Sequence, residues 1–363
     1  MDLLLTIISF ISIIMLLVFV HELGHFLVAR FFGVYVEVFS IGFGKKLFSW
    51  KDSKETVWQI APIPLGGYVK MYGEFYPTQK TKMQKISTTL KKSAFVFKPL
   101  YQRALIVFAG PLANFVFAAL CFSAIYSFQG FPVSAPIVDQ VIENGPAYKA
   151  GIKAGDVIKK IDGKTVTRFQ DVQEIVFYSP NKDLFMTLQR ANKLLDLTVR
   201  PEKRLVVDVF GNEQNIGFLG ITGKSVVYEK SGWVRSFYQG TKDVGEFSVQ
   251  MLKAVSEIIT GKQGTEDIGS VLRIADMSSK VTKAGLTATI WFIAILSINL
   301  GLINLFPIPV LDGGHLMFYL IEAITRRPVS AKIYMIANKI GVLLLMALMI
   351  FAISNDVLFF ISK

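Results

Sequence analysis

Val20-His21-Glu22-Leu23-Gly24-His25 closes an apolar run that begins at Leu3. Residues four apart share one face of a helix. His21 and His25 can therefore turn both imidazoles toward one metal ion, with Glu22 in reach of a water on that metal. Two imidazole ligands and a carboxylate acting as general base form a hydrolytic arrangement. The chain has only three histidines, and two stand here at ligand spacing. A charged side chain at the centre of an apolar span costs about 2.5–3.5 kcal/mol on insertion scales, so such groups mark function by default. A chance match and a packing histidine are the alternatives, and the setting weighs against both.

The 363 residues are 52% hydrophobic and 18% charged, which points to an integral membrane protein with a substantial polar portion. The single cysteine, Cys121, excludes an intrachain disulfide and a thiolate metal cluster. The net charge of +12 follows membrane topology rather than a nucleic-acid surface, and no nucleic-acid partner is expected.

Four spans are expected, at 3–32, 104–128, 286–306 and 341–360. The start Met1-Asp2 lacks the basic residues of a cleaved signal peptide. The first positive charges, Arg30, Lys45 and Lys46, follow the first span, and a Lys-rich loop runs to residue 100. Cationic loops stay in the cytoplasm, which places both termini outside. In that loop Val34 to Ser40 alternates like a strand, and Thr56 to Ile60 reads as a second one. Pro62 and Pro64 suit an edge, Ile41-Gly42-Phe43-Gly44 a flexed loop, and Leu65-Gly66-Gly67-Tyr68 a turn into Val69-Lys70-Met71. Thr81 to Lys92 reads as a solvated linker or a helix on the anionic leaflet.

The second span carries Ala109-Gly110-Pro111-Leu112-Ala113-Asn114, whose small residues permit close helix approach. Asn114 suits interhelical hydrogen bonding and a role at the active site equally. Residues 130–285 are polar and expected on the outer side. Gly145-Pro146-Ala147-Tyr148-Lys149-Ala150-Gly151 through Gly155-Asp156-Val157-Ile158, followed by Ile161-Asp162-Gly163-Lys164, resembles a PDZ domain, with a helix at Phe169 to Tyr178 and strands at Leu184 to Gln189 and Leu195 to Val199. Such domains bind extended peptides along a sheet edge; an empty groove and a steric gate are the other readings. Ile216 to Ile221 is one more strand. Trp233 to Thr260 has helical periodicity and lies on the membrane or packs on the spans. Residues 261–285 are polar and carry no specific signal.

The third span ends in Asn299 and Asn304, then Pro307-Ile308-Pro309-Val310-Leu311-Asp312-Gly313-Gly314-His315. Two prolines break the helix near membrane depth, where irregular backbone is tolerated only around a polar interior. A catalytic zinc keeps three protein ligands and an open position. Asp312 is the expected third ligand, with His315 a competitor on chemistry alone and a capping turn the structural alternative. The fourth span carries no evident chemistry. The chain thus divides into 1–32 (first span), 33–100 (β-loop and basic linker), 101–129 (second span), 130–205 (PDZ domain), 206–285 (outer strand and amphipathic helix), 286–325 (third span) and 326–363 (fourth span).

Three marks in order, His21-Glu22-Leu23-Gly24-His25, the PDZ-like insert and the N-x-x-P-x-P-x-L-D-G-G run from Asn304 to Gly314, resemble the site-2 protease family of intramembrane zinc metalloproteases. Within that family the chain resembles the bacterial type called regulator of sigma-E protease. The resemblance implies a four-helix membrane protein with a membrane-associated β-loop on the cytoplasmic side and an extracytoplasmic PDZ-like α+β domain. It implies Zn2+ on His21, His25 and Asp312, Glu22 as catalytic base, and Asn304 positioning the substrate backbone. An edge strand in the Thr56–Met71 region would pair with an unwound substrate helix, which brings in Trp58, Ile60, Gly66 and Gly67 with the Gly42 and Gly44 loop. Its substrates would be single-span membrane proteins, anti-sigma factors or leftover signal peptides, cut within the bacterial cytoplasmic membrane. Some relatives carry two tandem PDZ domains, and only one pattern is readable here. A transporter with broken helices, and a scaffold with a vestigial metal site, are the rival readings.

Overall fold

The computed structural model describes residues 2–74, 88–133, 135–207, 213–223, 227–229, 232–261 and 269–361. The part of the Lys-rich stretch from Thr81 to Ser87 lies outside them. The chain forms two compact units, residues 1–125 with 233–363, and residues 126–232. Four helices among the described residues are long and apolar enough to cross a membrane, over Leu3–Phe31, Leu100–Gln129, Leu286–Asn304 and Ala331–Val357.

The first unit opens with α1 (Asp2–Phe31), which ends in Arg30 and a left-handed Gly33. A four-stranded sheet follows, β1 (Val36–Phe43), β2 (Phe48–Lys51), β3 (Val57–Ile60) and β4 (Ile63–Met71), in the order β2-β3-β1-β4. It is fastened to α1 by aromatic packing. Fully buried Phe39 stacks on Trp58 at 4.3 Å and meets Phe26 of α1 edge-on at 5.4 Å. The expected turn at Leu65-Gly66-Gly67-Tyr68 is instead continuous strand within β4. The glycines serve close approach rather than a reversal. A Cβ on Gly67 would lie 2.7 Å from the Ser40 carbonyl and 2.9 Å from Glu22 Cγ, and one on Gly66 would lie 2.6 Å from the Phe43 ring. After α2 (Thr88–Ser93), α3 (Leu100–Gln129) crosses α1 where Gly24 faces Ala109 and Ala113 at near-backbone contact. In lipid, where apolar burial supplies no drive between helices, such small-residue crossings set how closely backbones pack.

The second unit is built the way a water-exposed domain must be, around an apolar core. It contains β5 (Phe131–Val133), β6 (Val138–Val141), α4 (Pro146–Lys149), β7 (Val157–Ile161), β8 (Lys164–Thr165), α5 (Phe169–Phe177), β9 (Leu184–Arg190), β10 (Lys193–Val199), β11 (Glu202–Val207), β12 (Glu213–Phe218), β13 (Ile221–Gly223) and β14 (Val227–Glu229). The main sheet runs β10-β9-β7-β8. Ile158, Ile161, Leu184, Met186 and Leu188 are fully buried in it. Each such side chain contributes about 1.5–3 kcal/mol when taken out of water. Asp162-Gly163 reverses β7 into β8 with both residues at positive φ, as a two-residue hairpin requires. The unit extends past the expected boundary at 205 because β13 pairs with β6 and β14 with β5, which draws the later strands back onto its start.

The first unit resumes with α6 (Trp233–Ile259), α7 (Val271–Ala284), α8 (Leu286–Asn304), α9 (Asp312–Thr325) and α10 (Ala331–Ile361). Of the two placements expected for α6, it takes packing against the spans. Phe247 stacks on Phe122 of α3 at 5.6 Å and meets Trp291 of α8 edge-on at 5.9 Å. The polar 261–285 stretch contributes α7, whose Ile274, Met277 and Val281 pack beside Ile13 and Leu17 of α1. The last apolar helix begins ten residues earlier than expected, at Ala331, and Lys332 and Lys339 are exposed on it. It also carries a buried carboxylate, Asp356, taken up by Ser270 and Arg273.

Candidate metal centre

Helical spacing sets the first two groups. His21 and His25 are buried on one face of α1 with ring centroids 4.9 Å apart. Gly110 of α3 lies directly against both rings; any side chain there would displace His25 Nε2 and His21 Cε1. The third group arrives from the broken end of α8. Leu305 to Leu311 folds back over Gly313 and Gly314, whose missing side chains leave room for the carbonyls of Leu305, Phe306 and Ile308. Pro309 presses its carbonyl onto Gly341 of α10. Val310 takes φ +96°, a costly angle for a β-branched residue, in the loop that delivers Asp312.

His21 Nε2 and His25 Nε2 lie 3.1 and 3.4 Å from Asp312 Oδ2, and 3.3 Å from each other. One ligand atom from each of the three residues falls within a 4.8 Å set. Tetrahedral ligands about 2.0–2.1 Å from a metal stand roughly 3.3 Å apart, so this triangle has the dimensions of three protein ligands around one ion. Asp312 Oδ2 is buried and, among the described residues, faces no donor besides the two imidazoles, as a carboxylate oxygen shared with them by a cation would. The donor set of two nitrogens and one oxygen fits zinc. Glu22 is buried beside His21, and β4 passes over it at Gly67.

A cavity of 1130 Å³ opens onto this group. Glu22, Gly66, Gly67 and Asn304 line it, and so does β4 from Gly66 to Met71. β4 is bonded to β1 on one side and, among the described residues, to no strand on the other, and its residues 66–71 line the cavity. Asn304 donates to the Leu300 carbonyl of its own helix at 2.9 Å. Four expected substrate contacts fall elsewhere. Trp58 and Ile60 belong to β3, which pairs with β1 and β2 on its two sides and has no backbone edge to offer. Gly42 and Gly44 do not line the cavity; they bend the end of β1 at φ +88° and +109° past the Ala61 carbonyl and Pro62.

Other residues at the site carried little sequence signal. His315, the competing ligand, turns its Nδ1 toward the Tyr334 hydroxyl at 3.1 Å. Glu74, Tyr334 and Asn338 line the cavity, and Asn338 Oδ1 is buried without a partner. An asparagine in an apolar helix was the readable clue for the last, and a span taken to begin at 341 left it out.

Helices long and apolar enough to cross a membrane thus bring two histidines and a carboxylate together beside a buried glutamate, an arrangement that suits a metallohydrolase. The profile of Peptidase family M50 matches residues 9–348. "Putative zinc metalloprotease Atu1380" of Agrobacterium fabrum is 37% identical, covering 97% of this chain and 95% of its own. "Putative zinc metalloprotease RC0203" of Rickettsia conorii is 38% identical over 97% and 98%, and "Metalloprotease MmpA" of Caulobacter vibrioides 32% over 97% and 95%. Among solved structures, a PDZ domain of the SdrC-like protein Lin2157 from Listeria innocua aligns with 26% of this chain and 99% of its own at 22% identity and a TM-score of 0.21. The chain belongs to peptidase family M50, the site-2 protease family of zinc metalloproteases.

Proposed function

We propose that the protein hydrolyses peptide bonds within the transmembrane segments of single-span membrane proteins. His21, His25 and Asp312 would hold zinc and Glu22 would act as general base. The observation that carries this reading is the triangle of 3.1–3.4 Å between three ligand atoms, one of them an oxygen with no donor besides the imidazoles, beside Glu22 and a strand edge unpaired among the described residues. Zinc bound there supplies Lewis-acid polarisation of a carbonyl and a water of lowered pKa. Glu22 takes the proton of the attacking water and hands it to the leaving amine. The free edge of β4 binds the substrate as an added strand. A helix must unwind to do this, because its carbonyls are engaged internally, so Gly or Pro near the cut favours cleavage. Asn304 lines the same cavity and exchanges its Leu300 bond for the substrate backbone.

The charge pattern supports a bacterial cytoplasmic membrane location with both termini and the PDZ-like unit outside and the β-sheet on the cytoplasmic side. Anti-sigma factors or remnant signal peptides fit as substrates, with membrane lipids as the other partner. The PDZ-like unit binds a peptide or acts as a size gate. The test is cleavage of a reconstituted single-span substrate, followed by mass spectrometry of the products. Wild type is expected to cut within the span, to stop after chelation and to resume with zinc. A zinc-loaded protein that never cuts, or that moves ions across the vesicle instead, would overturn the reading.

A further inference from the structure

The two histidines are held from behind in different ways. His25 Nδ1 lies 2.8 Å from the Ile106 carbonyl. A carbonyl only accepts, so His25 Nδ1 carries the proton and Nε2 presents a lone pair toward Asp312. Behind His21 stands the fully buried amide of Asn114, with Nδ2 placed 3.1 Å from His21 Nδ1. In that orientation an N–H donor faces Nδ1, which puts the ring proton on Nε2, pointing at Asp312 and His25. A protonated Nε2 cannot be a ligand. Asn114 Oδ1 meanwhile is buried without a partner.

Amide oxygen and nitrogen are nearly isosteric, and the hydrogen-bond network assigns them. In the present orientation the Oδ1 end of this amide lacks a partner, so hydrogen bonding by itself does not choose it. The ligand role of Nε2 chooses the reverse one. We propose that Asn114 is a positioning residue for the metal centre: its side-chain carbonyl accepts from His21 Nδ1–H and so holds His21 in the tautomer that offers Nε2 to the ion. The inference rests on the zinc reading above. The two rings then share one tautomer, with both Nε2 lone pairs aimed at the space beside Asp312 Oδ2. The support is stiff, because Ser297 of α8 donates to the Asn114 backbone carbonyl at 2.8 Å and Gly301 of the same helix packs on Asn114 Cβ at close range. Second partners of metal-bound histidines typically account for about 10–100-fold in metal affinity.

The test compares Asn114→Asp and Asn114→Leu in the full-length protein, with zinc affinity read by competition against a chromogenic chelator. Aspartate keeps an acceptor at the same place and leucine keeps the volume without one. Zinc binding close to wild type is expected for Asn114→Asp, and binding weakened about 10–100-fold for Asn114→Leu. Equal affinity for Asn114→Leu and wild type would overturn the positioning role while leaving the zinc site standing. A wild-type protein that binds no zinc would instead overturn the reading beneath it. A second measurement needs no variant. In zinc-loaded wild type with ¹⁵N-labelled histidine, His21 is expected to show a protonated Nδ1 and a metal-bound Nε2, and the reverse assignment would overturn the proposal.

Discussion

Two aspartates close helix junctions in the first unit, Asp356 fully buried and Asp312 half-buried, and they are partnered in opposite ways. Asp356, near the end of α10, accepts from the Ser270 N–H and hydroxyl at 2.7 and 2.5 Å and from the Arg273 N–H and Nε at 3.2 and 3.0 Å. Asp312, at the start of α9, presents an oxygen to two imidazole nitrogens and, among the described residues, has no other partner there. A carboxylate saturated with donors has nothing left for a ligand. One that faces lone pairs calls for a cation between them. The first ties α7 to α10, and the second completes a ligand set. A buried carboxylate oxygen is common to both, so the partners that face it separate an anchor from a site.

The largest expected effect lies in the chemistry beside Asp312. Glu22→Gln should lower cleavage by about 10²–10⁴-fold with zinc content unchanged; a wild-type rate would remove Glu22 as the base. The next test exchanges the two aspartates. Asp356→Asn leaves the buried Arg273 charge without its carboxylate and should cost about 3–5 kcal/mol in unfolding, with zinc binding intact. Asp312→Asn should do the reverse, losing zinc affinity by more than the roughly 10–100-fold attached to a supporting partner, with little change in stability of the metal-free protein. Equal stability losses from both variants would erase the contrast. Smaller again is Gly67→Val, which places methyl groups against the Ser40 carbonyl and Glu22 Cγ. Overpacking of that kind costs about 1–3 kcal/mol and should reduce cleavage more than zinc binding.

The smallest effect concerns a third aspartate, in the sheet. Burial works against the Asp52 carboxylate, but Trp58 Nε1, the Lys54 and Thr56 N–H groups and the Arg30 guanidinium hold its pKa down at about 2. A depressed carboxylate contributes stability that is present above its ordinary pKa of 3.8 and lost as the pH falls through about 2. Acid titration followed by tryptophan fluorescence should show a step in that window that disappears in Asp52→Asn. A step unchanged in the variant would assign it to another group.

Much of the fold and half of the site were readable from the chain, and the errors have a pattern. The spans are long apolar runs, and His21 and His25 share a face because four residues make about one helical turn. Glycine signals were ambiguous. Gly163 does turn the chain, whereas Gly67 admits a neighbouring backbone, and the residue type is the same for both needs. Alternation marks the strands of the β-loop but not which of them lies at the edge, and Trp58 and Ile60 sit in a strand paired on both sides.

Sequence alone determined whatever depends on neighbours within one or two turns: the spans, the imidazole pair with its adjacent glutamate, the hairpin at Asp162-Gly163 and the broken helix before Asp312. Tertiary structure decided what depends on groups far apart in the chain: that Asp312 meets the histidines while Asp356 is claimed by Ser270 and Arg273, that β4 has no second strand partner among the described residues, and that Asn114 stands behind His21 across 93 residues. The physical reason is that periodicity and turn chemistry are local, whereas the partners available to a buried polar group exist only once distant segments have packed together.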